Sequence, residues 1–575
     1  MSASTLGRRA LGPSVAAGAV VLLGLACGSA STGAGGAAGG AGGKDAVGGA
    51  AGRGNGSSGT AGSGIASGGF VGSGGNKPAV GGGCDAAQKK LPAPELVLSL
   101  VDSFQEAWLG SPAIADLDGD GKNEIIVARG NRIVVWNADG KKRWSFVAES
   151  VGRIWASPVV ADLTGAPGLE VAFSARDHVF VLDQKGQVQP GFPVVWKDEL
   201  RSLAAADLDG DGKLDLVVSL AKGGGQPDIV AAYRTDGSKV PGFPPNEAGT
   251  SGCDDKCYRA GCYDQNLAAG DLDGDGKADL VAPHDNAYAS IHKGSGEAFD
   301  ASPLYSKAKK TPGVRYLHVL AEAAQGYAED EETALQAHFT NTAPSLADLD
   351  GDGRLDIVML GSVQNAAQSK REQGVALWAV HADASRLEAF PTPLHFPGYL
   401  AGLWDYEGTN VVAATNQAAV ADVTKSSAGP EIVFAGFDGA IHAVSAKGQE
   451  LWSYTYTTDP RVLTGGVALG DLDGDGEAEI VFASYSPDKG KAALYLLDSC
   501  GREQHRLPLP DRGGMPVPTL GDIDGDGTVE IVVSLKDAEN GAPGVLVYRV
   551  PGSTPGYLPW PTGRGNLRRS GTASP

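Results

Sequence analysis

Asp116-Leu-Asp-Gly-Asp-Gly-Lys-Asn-Glu124 is the stretch that decides how this chain is read. The same six-residue opening returns at Asp207–Gly212, Asp271–Gly276, Asp348–Gly353 and Asp471–Gly476, and with Ile for Leu at Asp522–Gly527. Carboxylates at alternate positions, glycines that permit a tight turn and a further acid two residues on form an oxygen-rich cage suited to Ca²⁺. Six copies in one register point to a calcium-dependent repeat scaffold.

In the first copy Asp116, Asp118 and Asp120 (positions 1, 3 and 5) supply carboxylates, Lys122 a carbonyl at position 7, and Glu124 closes the site at position 9. The matching sets are Asp207, Asp209, Asp211 and Asp215; Asp271, Asp273, Asp275 and Asp279; and Asp348, Asp350, Asp352 and Asp356. Asp471, Asp473, Asp475 and Glu479 form the fifth, and Asp522, Asp524, Asp526 and Glu530 the sixth. An EF-hand begins alike but requires Glu at position 12. Here position 12 is Val127, Val218, Ala282, Met359, Phe482 or Val533, each inside a strand-like run, so EF-hand and dockerin loops are excluded.

This nine-residue loop between two strands resembles that of the integrin α-subunit propeller and of bacterial FG-GAP/VCBS repeat proteins. The resemblance covers about residues 91–575 and is carried by the loop. It implies about six Ca²⁺ ions per chain, one in a hairpin of each complete blade, acting mainly as structural braces.

Two worn copies fill the gaps, Asp162-Leu-Thr-Gly-Ala-Pro-Gly-Leu-Glu170 and Asp422-Val-Thr-Lys-Ser-Ser-Ala-Gly-Pro-Glu431. Each keeps only two side-chain ligands, so a turn without metal is expected there. Successive starts are then 46, 45, 64, 77, 74, 49 and 51 residues apart, which makes eight units. Units near 50 residues match a four-stranded propeller blade. The expected fold is therefore all-β, an eight-bladed β-propeller with seven blades as the alternative. Leu96–Val101 reads as a strand that completes the last blade after Val545–Val550, and the tail from Trp560 to Gly571 as a cap on that seam.

The N-terminus reads differently. Residues 1–26 have the form of an export signal, with Arg8 and Arg9 ahead of an apolar stretch too short to span a membrane comfortably. Leu23-Gly-Leu-Ala-Cys27 resembles the bacterial lipobox, with Gly24 where Leu is usual; it implies lipidation of Cys27, with ordinary secretion as the alternative. Gly occupies 24 of the 56 positions from 28 to 83, too little apolar surface to fold, so residues 27–90 are expected to be an anchor and flexible tether.

Three consecutive units are oversized, with insertions near 242–266, 284–345 and 361–418. In these, Val314–Ala324 and Asp330–His338 read as short helices; the third holds Trp378, His381, His395, Trp404 and Tyr406, and each histidine reads as a surface or packing residue. Loops that escape the repeat are where binding function sits on a rigid scaffold. Apart from Cys27 the cysteines are Cys84, Cys253, Cys257, Cys262 and Cys500, and the default in an exported chain is one disulfide within 253–262.

The formal charge of −21 argues against nucleic acid, and six divalent ions would reduce it to about −9. No Ser-His-Asp order, HExxH or catalytic carboxylate pair stands out from the loop acids. The expected function is a surface-anchored, monomeric binding or adhesion module for an extracellular glycan or protein, touching the membrane only through its lipid. The alternatives are a polysaccharide lyase, since such enzymes include eight-bladed calcium propellers, and a structural part of an envelope complex. The turn Asp139-Gly140-Lys141 with Trp144 faintly resembles repeats of quinone-dependent dehydrogenases, but the adjacent cysteines those enzymes often carry are absent.

Overall fold

Eight small sheets follow one another along the chain, antiparallel except where Thr342–Ala343 pairs parallel with Asn416–Ala421, and each repeat unit contributes a short first strand that leads into an acidic loop or its worn counterpart. The computed structural model describes residues 84, 89–102, 106–149, 151–220, 228–253, 267–284, 286–305, 310–325, 335–339, 342–364, 372–400, 416–538 and 541–574. Residues 1–26, expected to be an export signal, Cys27, the Gly-rich tract, Cys257, Cys262, Trp404 and Tyr406 lie outside them.

Blade one comprises Ala113–Ala115, Glu124–Arg129, Arg132–Trp136 and Lys142–Val147. The chemistry of each strand fixes its layer. First strands are short and rich in Ala, Gly, Ser and Thr, and all eight gather at the centre, each touching the next and the last touching the first. Second and third strands, such as Glu124–Arg129 of blade one and Ala493–Leu497 of blade seven, are largely apolar stretches buried on both faces between neighbouring blades. Fourth strands are mostly part-exposed, as in Glu503–Pro508, because one face meets solvent, although Leu394–Phe396 of blade five is buried throughout. The hydrophobic clusters lie between blades; one joins Ile126, Val135 and Ile154 to Phe173 and Phe180 across blades one and two.

Blades three and four depart from the four-stranded expectation. Their sheets have three strands, and the fourth position is reduced to the single bridges Tyr233↔Lys239 and His292↔Ala298. In blade three Pro241 and Pro244 follow at once, and a proline cannot donate to a ladder.

Both chain ends close the ring. Glu95–Leu100 pairs antiparallel with Val545–Arg549, so an N-terminal strand completes blade eight as the sequence implied. The C-terminal segment does more than cap that seam: it runs along the axis and bonds to every blade. Thr562 Oγ1 donates to the Pro112 carbonyl of blade one. Val160, Ala205, Ala269 and Leu346 of blades two to five donate backbone N–H groups to the carbonyls of Leu567, Arg568, Ser570 and Gly571. The Arg564 N–H donates to Gln417 Oε1 of blade six, at 2.7 Å. Leu469 and Leu520 of blades seven and eight donate to Trp560 and Pro561. First strands are sheet edges, and the tail satisfies backbone donors that would otherwise be buried without partners.

Because successive strands are antiparallel, first-to-second and third-to-fourth turns share one face of the ring. Second-to-third and blade-to-blade connections share the other. All six acidic loops are on the first face, while the extended hairpin and the described parts of the blade-to-blade connections within the three insertions lie on the second. On that second face the hairpin Asp356–Gln364 and Glu372–Val380 is nine residues on each side, and Gln336–His338 adds a strand to its extension. The helix expected over 330–338 is thus a strand where it is described, and the earlier one is the single turn Leu320–Ala323.

Cys84 and Cys500 form a disulfide, a pairing the sequence left open. Cys500 sits in the third-to-fourth turn of blade seven, so the chain reaches the propeller on the acidic-loop face. Cys253 is also disulfide-bonded, to a partner outside the described residues.

Candidate metal centres

Each complete loop is a self-organised turn. Gly119 and Gly121 adopt φ of 76° and 84°, which aims successive backbone N–H groups at the first aspartate. Gly119 donates to Asp116 Oδ1 at 2.7 Å and Gly121 to Asp116 Oδ2 at 2.8 Å. The same two bonds, 2.6–3.0 Å long, hold Asp207, Asp271, Asp348, Asp471 and Asp522. The position-9 acid is fixed by the N–H of position 2, from Leu117 to Glu124 Oε2 at 2.9 Å in the first loop. Equivalent bonds reach Asp215, Asp279, Asp356, Glu479 and Glu530.

This frame brings positions 1, 3 and 9 together. Ligand oxygens of Asp116, Asp118 and Glu124 lie within 4.8 Å of one another, as do those of Asp207, Asp209 and Asp215, of Asp271, Asp273 and Asp279, of Asp348, Asp350 and Asp356, and of Asp471, Asp473 and Glu479. These clusters are all-oxygen donor sets able to hold a metal ion. Asp120, Asp211, Asp275, Asp352 and Asp475, at position 5, are not among the residues of these five sets. Asp120, Asp211, Asp275, Asp352, Asp475 and Asp526 each accept the backbone N–H two residues on, at 2.8–2.9 Å.

Burial makes the position-9 acid the most strained charge in each loop. It pushes Asp215 and Asp279 up to about 7, Asp356 to about 6, and Glu479 to about 9. For Glu479 the negative charges of Asp473, Asp475 and Asp471 add to the burial. Basic side chains from later in the same blade partly compensate. Arg143 pairs with Asp118 and Glu124, Arg234 with Asp209, Lys293 with Asp273, and Arg549 with Asp524 and Glu530. His381, singled out above for its insertion, instead meets Asp356 at 3.0 Å. In the Asp471 loop the nearby Lys89 and Lys425 donate to the backbone carbonyls of Asp473 and Asp475.

The worn loops replace charge by hydroxyl. Thr164 stands at position 3 and donates its hydroxyl to Glu170 Oε1 at 2.7 Å, while Asp162 keeps only the Gly165 bond. Glu431 accepts the N–H groups of Val423 and Thr424.

The opposite face carries a feature the sequence reading missed. Trp108 and Trp155, each in a connection leading to a first strand, place their ring centroids 5.4 Å apart. Arg153 lies 5.0 Å from each ring and Arg201 4.1 Å from Trp155. Glu106 and Glu199 bond both the indole N–H groups and these arginines. Lys536 is sealed beneath Trp108, and burial lowers its ammonium to about 7. The signal was the recurrence of Trp at the same place in consecutive units. Of the insertion residues, Trp378 and His395 are buried against His318, so they pack the extended hairpin and do not present a contact surface. His284 and His292 are fully enclosed, and burial pushes them down to about 3 and about 4.

The class of molecule is now defined: an eight-bladed β-propeller with Asp-rich hairpin loops. Residues 116–165 and 471–533 match the family model described as FG-GAP-like repeat, so the chain carries repeats of that kind. Among solved structures it is similar to the V. cholerae biofilm matrix protein Bap1, at 15% identity and a TM-score of 0.52, over 84% of this chain and 97% of that one. It is also similar to the exotype rhamnogalacturonan lyase YesX, at 15% identity and a TM-score of 0.47, over 83% of this chain and 80% of that one. No curated protein sequence matches the chain.

Proposed function

We propose that this protein is a calcium-braced binding module of the bacterial envelope, tethered through lipidated Cys27, whose insertion-bearing face recognises an extracellular glycan or protein. The observation that carries the reading is the division of labour between the two faces. Acidic loops and the Cys84–Cys500 entry point share one face, while the extended hairpin Asp356–Gln364 and Glu372–Val380 and the Trp108–Trp155 cluster share the other. A tether on the first face leaves the second open to a ligand.

Calcium fits the loops because every converging donor is a carboxylate oxygen and each cluster holds more acids than its basic neighbours offset. Asp116, Asp118 and Glu124 would hold the ion in the first loop, with their counterparts in the other five, and the bound cation would lock each first strand to its second. Tilted aromatic rings edged by guanidinium groups suit the apolar faces and hydroxyls of a sugar or an aromatic-rich peptide loop. The likeness to a biofilm matrix protein agrees with this reading through the fold alone.

The test is calcium-loaded protein applied to a glycan array and to intact-cell pull-down, with Trp155→Ala and Arg201→Ala as variants. Binding that both variants weaken, at unchanged melting temperature, supports the reading; an array and a pull-down both without ligand would sink it. Incubation with pectic polysaccharide that produces unsaturated-product absorbance would replace it with a lyase.

A further inference from the structure

Two arginines of the C-terminal segment, Arg564 and Arg569, are 2% and 1% exposed on the propeller axis. Neither forms an ion pair among the described residues, and burial pulls both guanidinium groups down to about 9, so both stay charged at neutral pH. Each charge lies within reach of the other, since Arg564 is a further cause of the lowering at Arg569. A buried charge is costly unless paired and hydrogen-bonded.

The two are satisfied unequally. Arg569 makes a full set of bonds, to Pro158, Gly563, Ser111 and Pro112 carbonyls and to Thr562 Oγ1. Arg564 uses only Nη2, which donates to the carbonyls of Leu267 and Pro344. Among the described residues its Nε and Nη1 are buried without a partner, and so is the indole N–H of Trp560 in the same segment. These unpartnered groups are all donors. The axis therefore holds two positive charges, surplus N–H groups and, among the described residues, no acid paired with either guanidinium.

We propose that a single halide-sized anion, chloride in an ordinary buffer, sits against Nε and Nη1 of Arg564 and balances the charge of the axial segment. A water molecule would accept from the same donors but leave the charge uncompensated. The anion would fasten the tail where it crosses blades four and five, through Leu267 and Pro344.

Crystals of the full chain grown or soaked in bromide test this directly: an anomalous peak beside Arg564 Nε is expected, and water-like density without anomalous signal there would overturn the proposal. Thermal melts with calcium held constant, in sodium chloride and in sodium gluconate of equal ionic strength, give the second measurement. Chloride is expected to raise the midpoint in a saturating way, and Arg564→Met to abolish that shift. Equal midpoints in the two salts would also overturn the proposal. The bromide experiment on the unaltered protein stands even where the variant does not fold.

Discussion

Replacing the two axial arginines in turn tests whether the C-terminal segment holds the ring together through backbone carbonyls. Arg569 makes five side-chain hydrogen bonds and Arg564 two, and all but the one to Thr562 Oγ1 go to backbone carbonyls, most of them on the blades. A hydrogen bond from a charged donor contributes about 1.5 kcal/mol or more, so three additional bonds place Arg569→Met at least about 4.5 kcal/mol below Arg564→Met in stability. Methionine keeps much of the volume and gives up the buried charge in both variants, so that gain largely cancels in the comparison. Arg569→Lys, which keeps the charge but loses the planar set of donors, should fall between the wild type and Arg569→Met. The assay is urea unfolding followed by tryptophan fluorescence, run in gluconate so that halide does not enter. Equal losses for the two methionine variants, or a larger loss for Arg564→Met, would refute the argument that carbonyl bonding by the tail secures the axis.

Metal removal should destabilise the ring in steps. A site filled to 100-fold above its dissociation constant adds about 2.7 kcal/mol, so chelation should lower the melting midpoint, and metal counted per chain should approach six; an unchanged midpoint or a count near zero would end the calcium reading. Cys84→Ser opens a cross-link spanning 416 residues and should cost about 4 kcal/mol, read as a lower urea midpoint that reductant reproduces in the wild type. His442 is buried, yet its bonds to Asp438 and Glu450 outweigh burial and raise it to about 9. Its contribution is therefore complete below the unfolded value near 6.5 and fades as pH rises through about 9. His442→Gln should flatten stability against pH across that window, and an unaltered profile would contradict the pairing.

The repeat loops were legible because their chemistry is local. Nine consecutive residues hold the turn, the acids and the strand starts; their spacing favours eight blades over seven, and the apolar run Leu96–Val101 marks the closing strand Glu95–Leu100. Positions 1, 3 and 5 look alike in sequence, whereas the backbone at Gly119 and Gly121 separates them, directing N–H groups to Asp116 and leaving Asp120 to accept from Lys122. The axial tail was hidden for the opposite reason. Its partners lie hundreds of residues away, as from Arg569 to Pro158, and its run of Gly, Arg and Asn has no period to betray a binding surface. Trp108 and Trp155 escaped because they meet only when two blades pack side by side. The pairing of Cys84 with Cys500 is a property of the closed ring, and no spacing rule reaches across it.

That disulfide also sets the route by which force enters the molecule. A pull applied upstream of Cys84 passes through a covalent bond into the turn at Cys500, between Ala493–Leu497 and Glu503–Pro508 of blade seven. The strand Glu95–Leu100, held to blade eight by its ladder with Val545–Arg549, lies downstream of the bridge and is spared the load. Oxidised, the propeller would resist being unzipped from its N-terminus; reduced, the same tension would peel away the strand that closes the ring.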